Sequence, residues 1–307
     1  MSPDLHGRTI RVISPGRWTK PEALTRFSAL VSSFGAKVEI DPQCSLRDGQ
    51  LSGDDAARAG ALNAALADPH VDIVWAARGG YGASRILGAI DWRSASPGKI
   101  LIGHSDVTLL HQQALRAGVT PIHAAMPIDT LSDDKIDNVV RAAAAASALL
   151  QKAIRPAAHF DLRPVRPGHA RGKLDAGNLS VLTNLIGTPF EPDWCGVILC
   201  VEDINEYFYA LDRLFVHLSQ SRLAQGVAGL VLGEFLDSKE SDVAWGKTVE
   251  EMAAQHFPNI PIATGLPIGH GARNRPLILG QEAVLDVSDA AALAVKEENL
   301  PALSAAS

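Results

Sequence analysis

The feature that most constrains the fold is a regular alternation along the first half of the chain. Four short apolar runs, "TIRVIS" (9–14), "AKVEI" (36–40), "VDIVWAA" (71–77) and "KILIG" (99–103), read as strands. Between and after them, "PEALTRFSALVSSFG" (21–35), "GDDAARAGALNAALADP" (53–69), "GASRILGAI" (82–90) and "DVTLLHQQALRAG" (106–118) carry apolar residues at helical spacing. Strand and helix alternating through short loops predict an α/β fold, a doubly wound parallel sheet with helices on both faces. Ligands of such sheets sit beyond the carboxyl ends of the strands. Both "RGGYG" (78–82) and "GHSD" (103–106) fall there.

The alternation stops near residue 150. The alanine-rich "VVRAAAAASALL" (139–150) reads as a helix, and the proline- and arginine-bearing stretch that follows has the composition of a linker. Beyond it, "NLSVLTNLIG" (178–187) and "YALDRLFVHLSQS" (209–221) read as helices. "GVILCVED" (196–203), "VAGLVLGEF" (227–235) and a terminal "AVLDV" (283–287) read as strands. A length of 307 residues suits two modest domains. The expected division is an N-terminal α/β domain over 1–150, a linker over 151–171 and a smaller C-terminal α/β domain over 172–307.

Composition excludes several classes. The formal net charge is −6 and no lysine- or arginine-rich block occurs, so neither nucleic acid nor a membrane is an expected partner. The N-terminus lacks a basic segment followed by an apolar one, and no run is long enough to span a bilayer, so the expected location is the cytoplasm. Cys44, Cys195 and Cys200 match neither a disulfide framework nor a zinc pattern and read as reduced thiols. No metal or cofactor is expected.

Ser105 stands where a strand turns into a helix. Gly103 permits close backbone approach there, and the N–H groups at the start of the helix could hold an oxyanion. The arrangement resembles a nucleophile elbow without the second glycine of G-x-S-x-G. A serine followed by an aspartate at a helix start is also an ordinary N-cap. Among ten histidines, His270, between two glycines in "LPIGHGARNRPLILG", is the best-placed base, though its pattern fits a solvent-facing loop residue equally well; His217 reads as a packed or surface residue, His111 falls in the helix after Ser105 and His123 near a strand end. Glu202 or Asp203, at the end of a buried strand, could orient that histidine or simply cap the next helix.

"RGGYGASRIL" (78–87), "IGHSDVTLLH" (102–111), "IHAAMP" (122–127), "GNLSVLTNLIGTPFEPDWCGVILCVEDINEYFYALDRLFVHL" (177–218) and "GHGARNRPLILG" (269–280), in that order, resemble the LD-carboxypeptidase family. Its members are serine peptidases that include murein tetrapeptide carboxypeptidases and microcin C immunity peptidases. The resemblance implies a triad of Ser105 as nucleophile, His270 as base and Glu202 as acid. It also implies an oxyanion hole from the N–H groups of Asp106 and Gly79, the latter preferred over Gly80. It further implies an N-terminal domain like class I glutamine amidotransferases, a C-terminal domain that contributes the acid and the base, and a homodimer. Three positions depart from the family pattern: His104 where an aromatic or aliphatic residue is usual, Ala124-Ala125 where Gly-Pro is common, and Ala176 in place of a glycine.

The expected function is release of a C-terminal D-amino acid, D-alanine, from murein tetrapeptide-like substrates through an acyl-enzyme. The free carboxylate of such a substrate calls for a cation, and Arg78, Arg273 and Arg275 lie in or beside the motifs, although arginines next to turns are commonly just solvated. One alternative is hydrolysis of peptidyl or aminoacyl nucleotides. Others are a two-domain ligand-binding protein without catalysis and, more remotely, a dinucleotide oxidoreductase, whose glycine spacing fits poorly.

Overall fold

The structure, a computed structural model, describes residues 3–152 and 154–299. These divide into two compact units. One holds the described residues up to Pro156 together with Arg275–Ile278 and Asn299, and the other holds Ala157–Asn274 with Leu279–Glu298.

The first unit follows the alternation read from the sequence. Strands β1 (Thr9–Ile13), β2 (Lys37–Ile40), β3 (Ile73–Ala76), β4 (Ile100–Gly103) and β5 (Thr120–His123) pair in parallel in the order β5-β4-β3-β1-β2. They alternate with α1 (Pro21–Ser32), α2 (Asp55–Ala67), α3 (Ala83–Ile86), α4 (Thr108–Ala117) and α5 (Ile136–Lys152), and the two-residue β6 (Ile154–Arg155) follows. Every residue of β3 and β4 is buried, as a sheet covered on both faces requires. On one face Ile10, Val12, Ile73, Trp75, Ile100 and Ile102 pack with Phe27 and Val31 of α1 and with Val139, Ala143 and Leu149 of α5. The residues of opposite parity, such as Val74 and Leu101, are buried as well, and α2 and α4 contact the sheet strands. β1 has β2 on one side and β3 on the other, so the strand order reverses there. That switch point is where open parallel sheets bind ligands.

The second unit contains β7 (Ala158–Arg166), β8 (Gly168–Asn178), α6 (Leu179–Thr183), β9 (Val197–Ile204), α7 (Phe208–Gln220), β10 (Gly229–Leu236), α8 (Val249–His256) and β11 (Ile262–Thr264). The next strand, β12 (Leu277–Ile278), belongs to the first unit, where it joins the sheet antiparallel to β5. β13 (Glu282–Val287) and β14 (Ala291–Val295) follow, then β15 (Glu298–Asn299). Seven strands close into a barrel in the order β10-β11-β7-β14-β13-β8-β9. Closure leaves no free sheet edge. Its parallel run β8-β9-β10-β11 is covered by a core that includes Leu182 of α6, Leu211 and Phe215 of α7 and Met252 of α8.

The expected linker over 151–171 is corrected by these strands, since most of it is β7 and the start of β8. Phe160 and Leu162 are buried at alternate positions of β7, which is the period of a half-buried strand. Pro167 occupies the turn, with Gly168 at φ 147°, and Arg163 and Arg171 are exposed, which is why the composition resembled a linker. "AVLDV" is likewise not terminal, because β14 pairs with it from Val287↔Ala291 to Ala283↔Val295. α8, opened by a capping box between Thr248 and Glu251, had no counterpart in the sequence reading.

Candidate active site

In the first unit the site is built on the turn from β4 to α4. Every residue from Lys99 to Ala114 is buried except Ser105, which is partly exposed. Its backbone has φ 61°, the left-handed region that costs a residue with a Cβ about 1 kcal/mol or more. A helix cap needs no such conformation. His104, by contrast, is extended, at φ −154°. After the strained serine, one 3-10 turn (Ser105–Val107) leads into α4. Gly103 is fixed by packing: a Cβ there would lie 2.8 Å from Cγ1 of Val107. Thus Val107, where the usual motif has a second glycine, packs onto the first.

The glycine loop after β3 lies against this elbow. A Cβ on Gly79 would fall 2.9 Å from the Ser105 Cβ, 3.1 Å from the His104 carbonyl oxygen and 3.2 Å from the Asp106 nitrogen. The N–H groups of Gly79 and Asp106 have no acceptor among the described residues. Two orphan donors beside a strained, partly exposed serine are what an oxyanion hole requires. The Asp106 side chain ties the two segments together, its Oδ2 accepting from the Ala83 N–H at 2.9 Å. Burial pushes its pKa up to about 6, against the opposing effects of that bond and of Arg58. Arg58 is fully buried beneath the loop and donates to the carbonyls of Pro15 at 2.6 Å and Gly82 at 2.8 Å and to Asp55.

Behind the elbow, the departure at His104 has a partner. Its Nε2 lies 3.5 Å from Asp129 Oδ2, and the His104 and His123 rings are 5.9 Å apart. Burial would raise Asp129, but the His104 bond and charge outweigh it and hold the carboxyl below its usual value. His111 is wholly buried and kept neutral, by burial first and then by His123 and His104. His111 and His123 are packed residues, and His217 is exposed on α7.

In the second unit, Glu202 near the end of β9 is fully buried, and its Oε2 lies 2.8 Å from Nδ1 of His270, whose side chain is 18% exposed. This geometry puts the imidazole proton on Nδ1 and leaves Nε2 as the basic nitrogen. Oε1 of Glu202 is buried with no hydrogen-bond partner among the described residues. A carboxylate held this way weakens the fold, so its presence points to work other than stability. Strand pleating sends the neighbouring Asp203 the other way. It accepts from Asn178 Nδ2, Ser180 N and Ile204 N at 2.8–3.0 Å and pins the start of α6. Burial and then the Glu202 charge push its pKa to about 6, against those hydrogen bonds. The ambiguity between the two acids is thereby resolved for the histidine contact.

Glu234 escaped the sequence reading. The register shift in β10 between Leu232 and Phe235 presents its carboxylate to the Gly271 backbone, leaving no room for a Cβ there. The clue available was "GEF" at the end of a strand adjacent to that of Glu202. Of the candidate arginines, Arg273 and Arg275 are exposed, and Arg78 is half-buried. Cys195 is exposed, whereas Cys44 and Cys200 are buried thiols that burial pushes up, Cys44 to about 11. Among the described residues no group of three His, Cys, Asp or Glu side chains is placed to hold a metal ion, and no helix is long and apolar enough to cross a membrane.

Comparison with known proteins matches residues 10–124 to the LD-carboxypeptidase N-terminal domain and residues 171–285 to the LD-carboxypeptidase C-terminal domain. The chain belongs to the LD-carboxypeptidase family. A Synechocystis sp. protein named as a carboxypeptidase is 33% identical over 91% of this chain and 92% of its own length. The murein tetrapeptide carboxypeptidase of Pseudomonas aeruginosa is 29% identical over 90% of this chain and 92% of its own. The crystal structure of muramoyltetrapeptide carboxypeptidase from Oxalobacter formigenes superposes with a TM-score of 0.82 at 28% identity, covering 94% of this chain and 98% of that one. As a member of this family of carboxypeptidases, the chain is a peptidase, a hydrolase.

Proposed function

We propose that this LD-carboxypeptidase works through a Ser105–His270–Glu202 triad and releases D-alanine from the C-terminus of a murein tetrapeptide. The observation that carries the reading is Ser105 itself, strained at φ 61° and the one partly exposed residue in a buried stretch, beside two N–H donors with no acceptor among the described residues. His270, its tautomer held by Glu202, takes the Ser105 proton on Nε2. The Ser105 oxygen then attacks the carbonyl between an L-configured centre and the terminal D-alanine. The N–H groups of Gly79 and Asp106 stabilise the oxyanion, each worth about 3 kcal/mol in such a role. Collapse returns the proton to the leaving amine, D-alanine departs, and water activated by His270 hydrolyses the acyl-enzyme.

The substrate follows the relatives named for murein peptides. The same reading places the chain in the cytoplasm as a homodimer, which cell fractionation and light scattering test. The deciding experiment offers L-Ala-γ-D-Glu-meso-diaminopimelate-D-Ala and an aminoacyl-sulfamoyl adenosine to the purified protein, with products read by mass spectrometry. Release of D-alanine is expected, with Ser105→Ala folded but inactive. Turnover of the nucleotide alone would redirect the substrate assignment, and undiminished release by Ser105→Ala would overturn the mechanism.

A further inference from the structure

Two arginines of the first unit stand together at the sheet's switch point. The loops after β1 and β3 leave the sheet side by side there. The Arg17 N–H donates to the Gly79 carbonyl at 3.2 Å. The Arg17 stem lies over the next glycine, since a Cβ on Gly80 would be 2.8 Å from the Arg17 Cβ and 3.1 Å from its Cδ. Arg78 immediately precedes Gly79, so its Cα is about 3.8 Å from that of the glycine that lies against the elbow.

Both side chains are half-buried, yet neither has a carboxylate partner among the described residues. The hydrogen bond from Arg78 is a long one, 3.5 Å to the Trp18 carbonyl. Elsewhere in the unit Arg8, Arg11 and Arg58 each hold an aspartate or glutamate. Burial, and then the charge of Arg17, lower the pKa of Arg78. Two like charges held together, partly out of water and without a counterion, repel one another until an anion arrives.

We propose that Arg78, assisted by Arg17, binds the free C-terminal carboxylate of the substrate and so confines the enzyme to the last residue of a peptide. This rests on the serine carboxypeptidase reading above. The terminal carboxylate carbon is three bonds, roughly 3–4 Å, from the scissile carbonyl carbon. Its cation must therefore stand next to the oxyanion hole, and Arg78 adjoins Gly79. The planar guanidinium fork matches a carboxylate with two parallel hydrogen bonds. Neutralisation by the incoming carboxylate relieves the repulsion between the two arginines, so the free acid is favoured over a neutral end.

The test compares kcat/KM for the tetrapeptide and its C-terminal carboxamide in the wild type, Arg78→Met, Arg78→Lys and Arg17→Met, reading D-alanine and D-alaninamide by mass spectrometry. The wild type prefers the free acid by about 100-fold or more. Arg78→Met brings that ratio close to one, because the free acid loses far more rate than the amide. Arg78→Lys, which keeps the charge without the fork, drops the ratio about tenfold and decides the matter alone if the methionine variant does not fold. Arg17→Met gives a smaller drop. A wild type that cleaves both peptides equally, or a preference unchanged in the Arg78 variants, overturns the inference alone. A wild type that releases nothing from either peptide overturns the serine carboxypeptidase reading, and the inference falls with it.

Discussion

Gly79→Ala isolates the glycine loop's contribution to the proposed oxyanion hole. The φ of Gly79 is not in the left-handed region, so alanine is allowed by the backbone and the perturbation is purely steric. The new Cβ would sit 2.9 Å from the Ser105 Cβ, 3.1 Å from the His104 oxygen and 3.2 Å from the Asp106 nitrogen. Carbon–carbon contacts relax to about 3.5–4.0 Å, so the loop must retreat by roughly 0.6–1 Å from the elbow. Overpacking of this kind costs about 1–3 kcal/mol. In a unit of this size that lowers Tm by about 2–10 °C. The larger effect falls on catalysis, because a displaced oxyanion donor reduces kcat by about 100- to 1,000-fold with little change in KM. Steady-state release of D-alanine and a thermal melt measure the two together. Gly60→Ala, on the exposed side of α2 with nothing within 4 Å, is the control; it should gain about 0.5–1 kcal/mol of stability and keep full activity. A Gly79→Ala enzyme with kcat within about threefold of the wild type would remove Gly79 from the oxyanion hole.

Two other substitutions separate catalysis from stability. Glu202→Gln should lower kcat/KM by about 1,000-fold or more, through loss of the correct imidazole tautomer, while Tm holds or rises because a fully buried carboxylate has been replaced by a neutral amide; parallel losses of Tm and activity would assign Glu202 a structural role instead. Asp106→Asn tests the buried carboxyl that titrates at about 6 rather than 3.8. Because its folded pKa is raised, the wild type carries no penalty from this group below about pH 4 and loses up to about 3 kcal/mol as pH rises through 6. The stability of the asparagine variant relative to the wild type should therefore grow in chemical denaturation between pH 4 and 7; a pH-independent difference would contradict the buried, proton-retaining state.

The first unit was legible because its strands are buried on both faces and its helices are amphipathic, so local pattern and global layer agree from Thr9 to Ala117. The second unit was harder. β7 carries Pro164 and the exposed Arg163, β8 the exposed Arg171, and β11, with three residues, is too short to show a period. The membership of β12 in the first unit depends on contacts distant in sequence, which no local pattern encodes. Within the site, Gly103 and Ser105 could be found from the strand-to-helix turn, but the φ of 61° that distinguishes an elbow from a cap has no sequence signature. Choosing between Glu202 and Asp203 required the pleat to show which side chain turns toward His270. The carboxylates of Asp106 and Glu234 lie against backbone neighbours remote in sequence, Ala83 and Gly271, and so left no motif.

The most direct test of the account is covalent capture of its nucleophile. Incubation of the wild-type protein with a serine-directed phosphonate, followed by peptide mapping, should place one stoichiometric adduct on Ser105. The rate should fall in Gly79→Ala and Glu202→Gln, and labelling should be absent in Ser105→Ala. A folded, substrate-competent enzyme whose label lies on another residue, or that loses no activity when Ser105 is labelled, would contradict it.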